Sequence, residues 1–261
     1  MMVRLFMLAA LSAALLPAQA DTPFPPHHII GNLYYVGSAD LASFLITTPR
    51  GHILINSSFD HTVPLIQANM EKLGFHFRDI NILLDSHAHD DHVGGNPLVK
   101  RLTGATVMSM EEDVQAIPGA VDRILHDGEQ VKLSGTVLTA HLTPGHTAGA
   151  TTWTMPVTEG GKTYNVLIVS SVSVNPGYVL VNNSQYPRIA DDYRRAFRVL
   201  RKLPCDVFLA PHGNQYGLAG KYAKLDKGGP NPFVDPAGYR AYVENGEKFF
   251  QSKLAEQQPG K

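Results

Sequence analysis

The stretch SHAHDDHVGG, positions 86–95, decides how this chain is read. It places His87, His89, Asp90, Asp91 and His92 within six residues and follows them with Gly94 and Gly95. Packing gives no reason for such crowding, because imidazole and carboxylate are costly to bury without partners. A metal site would explain both the residue types and their proximity. His87 and His89 are two apart, so in an extended segment they point the same way. Asp91 and His92 follow one turn later and aim at a neighbouring point, so one segment can feed two metals. The paired glycines let the backbone bend tightly there.

The preceding segment, DINILLDSH, reads as a buried strand that ends near Asp85, which places the motif where a strand hands the chain to a loop. Irregular strand ends are where site residues concentrate. Two more apolar strands end the same way. HLTPGHTAG sets His146 in a Pro-Gly turn, and VFLAPHGN sets His212 beside Pro211 and Gly213. Five histidines and one aspartate suffice for two three-ligand sites, and catalytic zinc keeps about three protein ligands with one open position. His27, His28, His52, His61, His76 and His126 read as turn or polar-face residues. His141, Asp85 and Asp90 are candidates for contacts behind the ligands.

The rest of the chain frames these segments. Strands are expected at 33–37, 42–47 and 52–56, then a helix over VPLIQANMEKLG capped by Gly74. After the motif come a helix in NPLVKRLTG, a strand in ATVMSM and a short helix in EEDVQAI. A second all-strand run covers 131–133, 136–142, 150–155 and 164–169. YPRIADDYRRAFRVLRKLP is an amphipathic helix with an Asp191–Arg195 pair at i, i+4, and DPAGYRAYVENGEKFFQSKLAEQ a closing helix broken near Gly246. GNQYGLAGKYAKLDKGGPNP reads as a loop. Strands and helices thus occur twice in the same order. This predicts an α/β (α+β) chain whose two similar halves form a four-layer αββα sandwich, a single domain over 21–261.

Composition narrows the function. The 261 residues are 44 % apolar and 17 % charged, with a formal net charge of −1, which argues against a nucleic-acid protein. The body of the chain holds no apolar run long enough for a membrane span. MMVRLFMLAALSAALLPAQA, with Arg4, an apolar run and Ala18-Gln19-Ala20, has the pattern of a signal peptide cleaved after Ala20, so a periplasmic protein is expected. Cys205 is the only cysteine; it reads as a buried, inert thiol.

With these residues in place the chain resembles the metallo-β-lactamase superfamily, through H-x-H-x-D-H at 87–92 and the later His146 and His212. It looks most like the third subclass of class B β-lactamases. Both early motif positions are histidine, LIVSSVSVNPGY offers Ser171 and Ser173 where other subclasses carry cysteine, and PGHTAGATTW resembles that subclass. The resemblance implies two Zn2+ ions, the first held by His87, His89 and His146, the second by Asp91, His92 and His212. It implies hydrolysis of the amide of penicillins, cephalosporins and carbapenems by a zinc-bound hydroxide, with Asp91 orienting it. Ser171 and Ser173 would dock the carboxylate of this small-molecule substrate, and a monomer is expected. Related members often join a cysteine at the position of Cys205 to one near Tyr239, a bridge this chain cannot form. Asn56 stands where many members have aspartate. The rivals are a thioesterase or lactonase of the same superfamily, which usually carries a metal-bridging aspartate near Ser171, and a non-enzymatic periplasmic zinc-binding protein.

Overall fold

Strands β3 (Phe44–Thr48), β4 (Gly51–Ile55) and β5 (Ile80–Leu84) each carry a run of consecutive apolar residues, a pattern that suits a sheet covered on both faces. In this computed structural model, which describes residues 21–258, that is where they lie. Phe44, Ile46, Ile53, Ile55, Ile82 and Leu84 face the interior between two sheets. Leu45, Leu54 and Leu83 point the other way, onto α1 (Val63–Lys72) and α3 (Asn96–Thr103). The proposed leader at 1–20 and its cleavage site lie outside the described residues.

The first sheet has seven strands in sequence order, with β1 (His27–Ile30), β2 (Leu33–Tyr35), β6 (Thr106–Met110) and β7 (Arg123–Leu125) completing it. Pairing is antiparallel from β1 to β4 and parallel from β4 to β7. Parallel neighbours need crossover connections, and α1 and α3 supply two of them. The second sheet runs β12-β11-β10-β9-β8, from β8 (Gln130–Leu133), β9 (Thr136–Leu142), β10 (Thr151–Glu159), β11 (Lys162–Ile168) and β12 (Val207–Leu209). Its Leu138, Ala140, Trp153 and Met155 meet the inner face of the first sheet. Outside it pack α4 (Ile189–Leu200) and α7 (Pro236–Gln257), joined by Phe250 against Tyr193 and Phe197 at 5.0 and 5.9 Å between ring centroids. Two sheets inside and helices outside make the expected αββα sandwich.

Several elements differ from expectation. Strands β1 and β7 are additional. The motif itself contains a helical turn, α2 (Asp90–Val93), and the stretch read as a loop after His212 holds α5 (Gly213–Tyr216) and α6 (Leu218–Tyr222). α7 is unbroken at Gly246. A β-carbon there would lie 2.5 Å from Val172 Cγ2, so this glycine permits close packing rather than a break. Asp191 pairs with Arg194 at 2.7 Å, while Arg195 reaches Asp127 at 2.9 Å. Among the described residues no helix is long and apolar enough to cross a membrane. Cys205 lines one cleft with Tyr239, whose hydroxyl donates to the Leu200 carbonyl at 2.6 Å and ties α7 to α4 without a covalent bond.

His27 and His52 are buried rather than on turns or polar faces. The His27 ring stacks with Tyr35 and Phe233 at 5.3 and 5.6 Å, and burial lowers its pKa to about 4. The unfolded value is about 6.5, so unfolding takes up a proton between those limits. The associated stability, about 3 kcal/mol at most, is present above pH 6.5 and is lost as pH falls toward 4. Thermal melts from pH 7 to 4.5 should therefore show a shallower decline for His27→Phe than for the parent chain. Parallel curves would contradict this account.

Candidate metal centre

The direction of the strands brings the histidine-bearing loops together. β9 and β11 both pair antiparallel with β10, and β12 runs parallel to β11, so all three end on one edge of the second sheet. β5 ends beside that edge: the Thr151 N–H donates to the Ser86 carbonyl across the sheets at 2.7 Å. The loops that follow β5, β9 and β12 carry His87 to His92, His146 and His212.

There the six candidate ligands converge. The ligand atoms of His87, His89 and His146 lie within 4.8 Å of one another, and so do those of His87, Asp91 and His92. His212 completes the second group, its Nε2 at 3.3 Å from His92 Nε2 and 3.5 Å from Asp91 Oδ2. The remaining Asp91–His92 separation is 3.4 Å. Asp90, by contrast, is exposed at the start of α2.

Burial and hydrogen bonding prepare the rings to bind a cation. Desolvation drives His87 and His92 well below the usual imidazole range, with the neighbouring histidines adding to the effect. Burial brings His146 to about 3, against a hydrogen bond to Ser173 that opposes the shift. These rings are neutral at pH 7, with lone pairs available. The His146 Nδ1–H donates to the Ser173 carbonyl at 2.7 Å, and that of His212 to Asp40 at 2.9 Å, which turns each Nε2 toward the cluster. An outer partner of this kind fixes the tautomer of a metal-ligating histidine. His87 Nε2 is buried with no hydrogen-bond partner among the described residues. A metal ion would satisfy an orphaned nitrogen that faces other imidazoles, and the donor set fits a borderline cation such as zinc.

The chain matches the family model of the metallo-beta-lactamase superfamily over residues 42–212. It belongs to that superfamily. Among solved structures it is similar to native FEZ-1 metallo-beta-lactamase from Legionella gormanii, at 50 % identity over 92 % of this chain and 99 % of that one, with a TM-score of 0.90. It is also similar to BJP-1, a subclass B3 metallo-beta-lactamase of Bradyrhizobium japonicum, at 36 % identity over 92 % and 97 % of the two chains, with a TM-score of 0.87. A hydroxyacylglutathione hydrolase of Methylococcus capsulatus is 43 % identical over 67 residues, and that match spans only 26 % of either protein. Superfamily membership together with the histidine cluster implies zinc.

Other residues at this superfamily site were not anticipated. Asp40 holds His212 and accepts from the Asn214 N–H at 3.1 Å; burial alone would raise its pKa, but these bonds carry it below the usual carboxylate value. The Tyr178 hydroxyl donates to the His146 carbonyl at 2.8 Å and stands 3.3 Å from His89 Nε2. Gln257 holds the Tyr178 loop, accepting from the Leu180 N–H at 2.6 Å and donating to the Tyr178 carbonyl at 2.8 Å. Asp113 accepts from Ala88, Thr147 and Gly149.

Two candidates stand elsewhere. Asp85 partners Asn96 rather than a ligand imidazole, and burial raises it to about 8. His141 bonds Thr154 across β9 and β10. Asn56, at φ 65° in the left-handed region that asparagine tolerates, accepts from the Ser86 N–H at 2.9 Å and so fixes the backbone entering the motif.

His89→Ala should lower bound metal after dialysis, measured by atomic emission. His87→Ala should lower it at least as far, since the His87 donor nitrogen lies within 4.8 Å of the donor atoms of both groups. Undiminished metal in both variants would dissolve the proposed centre.

Proposed function

We propose that this chain is an exported, periplasmic, monomeric zinc β-lactamase that opens the amide ring of penicillins, cephalosporins and carbapenems. His87, His89 and His146 would hold one zinc ion, and Asp91, His92 and His212 a second. The observation that carries the reading is the likeness to FEZ-1 and BJP-1 over nearly the whole length of each. The residues behind the cluster agree with it. The segment 169–174 offers Ser170, Ser171 and Ser173 and no carboxylate that could bridge two ions.

When bound, zinc supplies Lewis acidity and activates water as a nucleophile near neutral pH. The chain's own groups do the rest. Asp91, close to both His92 and His212, orients the attacking water. Tyr178, raised to about 12 by burial and the nearby Asp113 and Asp91, keeps its proton and presents an O–H beside His89 and His146. Substrate has room next to it, in a cleft of about 520 Å3 lined by His146, Tyr178, Val179, Asn182 and Ile189. Ser173 and Ser171 dock the substrate carboxylate. Ser173 is the more open of the two; Ser171 is 3 % exposed and its Oγ accepts from the Ser173 N–H at 3.2 Å. No serine or cysteine nucleophile is required.

A second reading, hydrolysis of a glutathione thioester, has the local matches to hydroxyacylglutathione hydrolases in its favour. Turnover of nitrocefin and a carbapenem should be measured beside S-lactoylglutathione and a homoserine lactone, with and without chelator. The lactams should be cleaved with kcat/KM at least about a hundredfold above the others, and chelator should abolish the activity. Preference for the thioester would reverse the assignment, and indifference to chelator would remove the metal from it. Ser173→Ala should raise KM about threefold to tenfold with a smaller change in kcat, as loss of one docking hydrogen bond implies. An unchanged KM would reject the docking role.

A further inference from the structure

EEDVQAI carries three acids in a row, and only the third is drawn inside. Glu111 and Glu112 are exposed, whereas Asp113 is 4 % exposed on the short 3-10 turn after β6. Both of its carboxylate oxygens are used. Oδ2 accepts from the Ala88 N–H at 3.0 Å and from the Thr147 hydroxyl at 2.7 Å; Oδ1 accepts from the Gly149 N–H at 2.7 Å. Ala88 lies between His87 and His89, and Thr147 follows His146. The three donors therefore come from the two backbone segments that carry one group of ligands.

We propose that Asp113 is the positioning residue of the His87–His89–His146 triad, joining the loop that bears two of these ligands to the turn that bears the third. It touches neither metal nor substrate. This inference rests on the metal-centre reading above and is independent of which substrate is cleaved.

The contacts around it favour that role. The bond from Thr151 N–H to the Ser86 carbonyl joins the two segments one residue before the ligands begin. Beyond that point the spacing between the Ala88 backbone and the 147–149 turn is set through the Asp113 carboxylate. The fit allows little variation: a β-carbon on Gly149 would sit 2.6 Å from Asp113 N and 2.7 Å from its Cβ and Cγ. Histidine ligands must be placed to within about half an ångström for good coordination, and three hydrogen bonds donated to a rigid, buried acceptor can deliver that. Asparagine has the same shape but cannot substitute. Whichever way its amide is turned, an NH2 group faces a backbone N–H, at Ala88 or at Gly149.

The test compares cobalt(II) and zinc binding to the full chain, Asp113→Asn and Thr147→Val, with His89→Ala and His92→Ala as references. Competition with a chromophoric chelator gives affinities, and the visible d–d bands of cobalt report ligand geometry. Asp113→Asn should bind metal about tenfold to a hundredfold more weakly at the site that His89→Ala damages, with altered d–d bands. Affinity at the site that His92→Ala damages should change by less than about threefold. Thr147→Val, which removes one bond and keeps the carboxylate, should shift the same site in the same direction by a smaller factor. Should Asp113→Asn fail to fold, the Thr147→Val comparison decides alone. Unchanged affinities and spectra would overturn the proposal. So would equal weakening at both sites together with an equally lowered melting temperature of the metal-free protein, the mark of a purely structural residue. A parent chain that binds no metal would instead overturn the metal-centre reading beneath it.

Discussion

Five imidazoles and a carboxylate meet at the seam between two sheets, where a ring nitrogen can lose water without gaining a protein partner. Leaving a buried polar atom unpaired costs about 1–3 kcal/mol. His87 Nε2 is in that state, and His92 Nε2 and His212 Nε2 face each other at 3.3 Å. A cation resolves all of these at once. Low proton affinity, which burial imposes on His87, His92 and His146, leaves the lone pairs free for it.

The remainder of the fold serves to hold this arrangement. Each ligand-bearing loop leaves a strand whose end is fixed by both faces of a sheet. The loops are tied again from behind: Asn56 to the Ser86 N–H, Ser173 to His146, Asp40 to His212. Trp153 Nε1–H donates to the Asp85 carbonyl at 3.0 Å, so the second sheet anchors the strand end of the first directly below the motif. Asn96 and Ser57 extend that network to the start of α3.

The ligands were legible because each follows an apolar strand and sits beside glycine, signals that act over a few residues. Their partners were not. Asp40 and His212 are 172 residues apart, and only the folded sheets bring them together. Asp113 carries no local mark that separates it from Glu111 and Glu112. The αββα order was readable from two runs of strands alternating with helices. β7, three residues long, lacks enough pattern to register. α5 and α6 are short helices separated by Gly217 at φ 71°, and glycine and polar residues there read as a loop. Gly246 misled for a different reason: the same lack of a side chain can end a helix or admit a neighbour, and only Val172 distinguishes the two.

The cleft shared by Cys205 and Tyr239 has a consequence for how the protein matures. This chain joins α4 and α7 there by a phenol-to-carbonyl hydrogen bond and by ring packing. Its single thiol, pushed up to about 12 by burial, forms almost no thiolate, so exchange with small-molecule disulfides is slow. With one cysteine in the sequence, folding of this scaffold requires no intrachain disulfide.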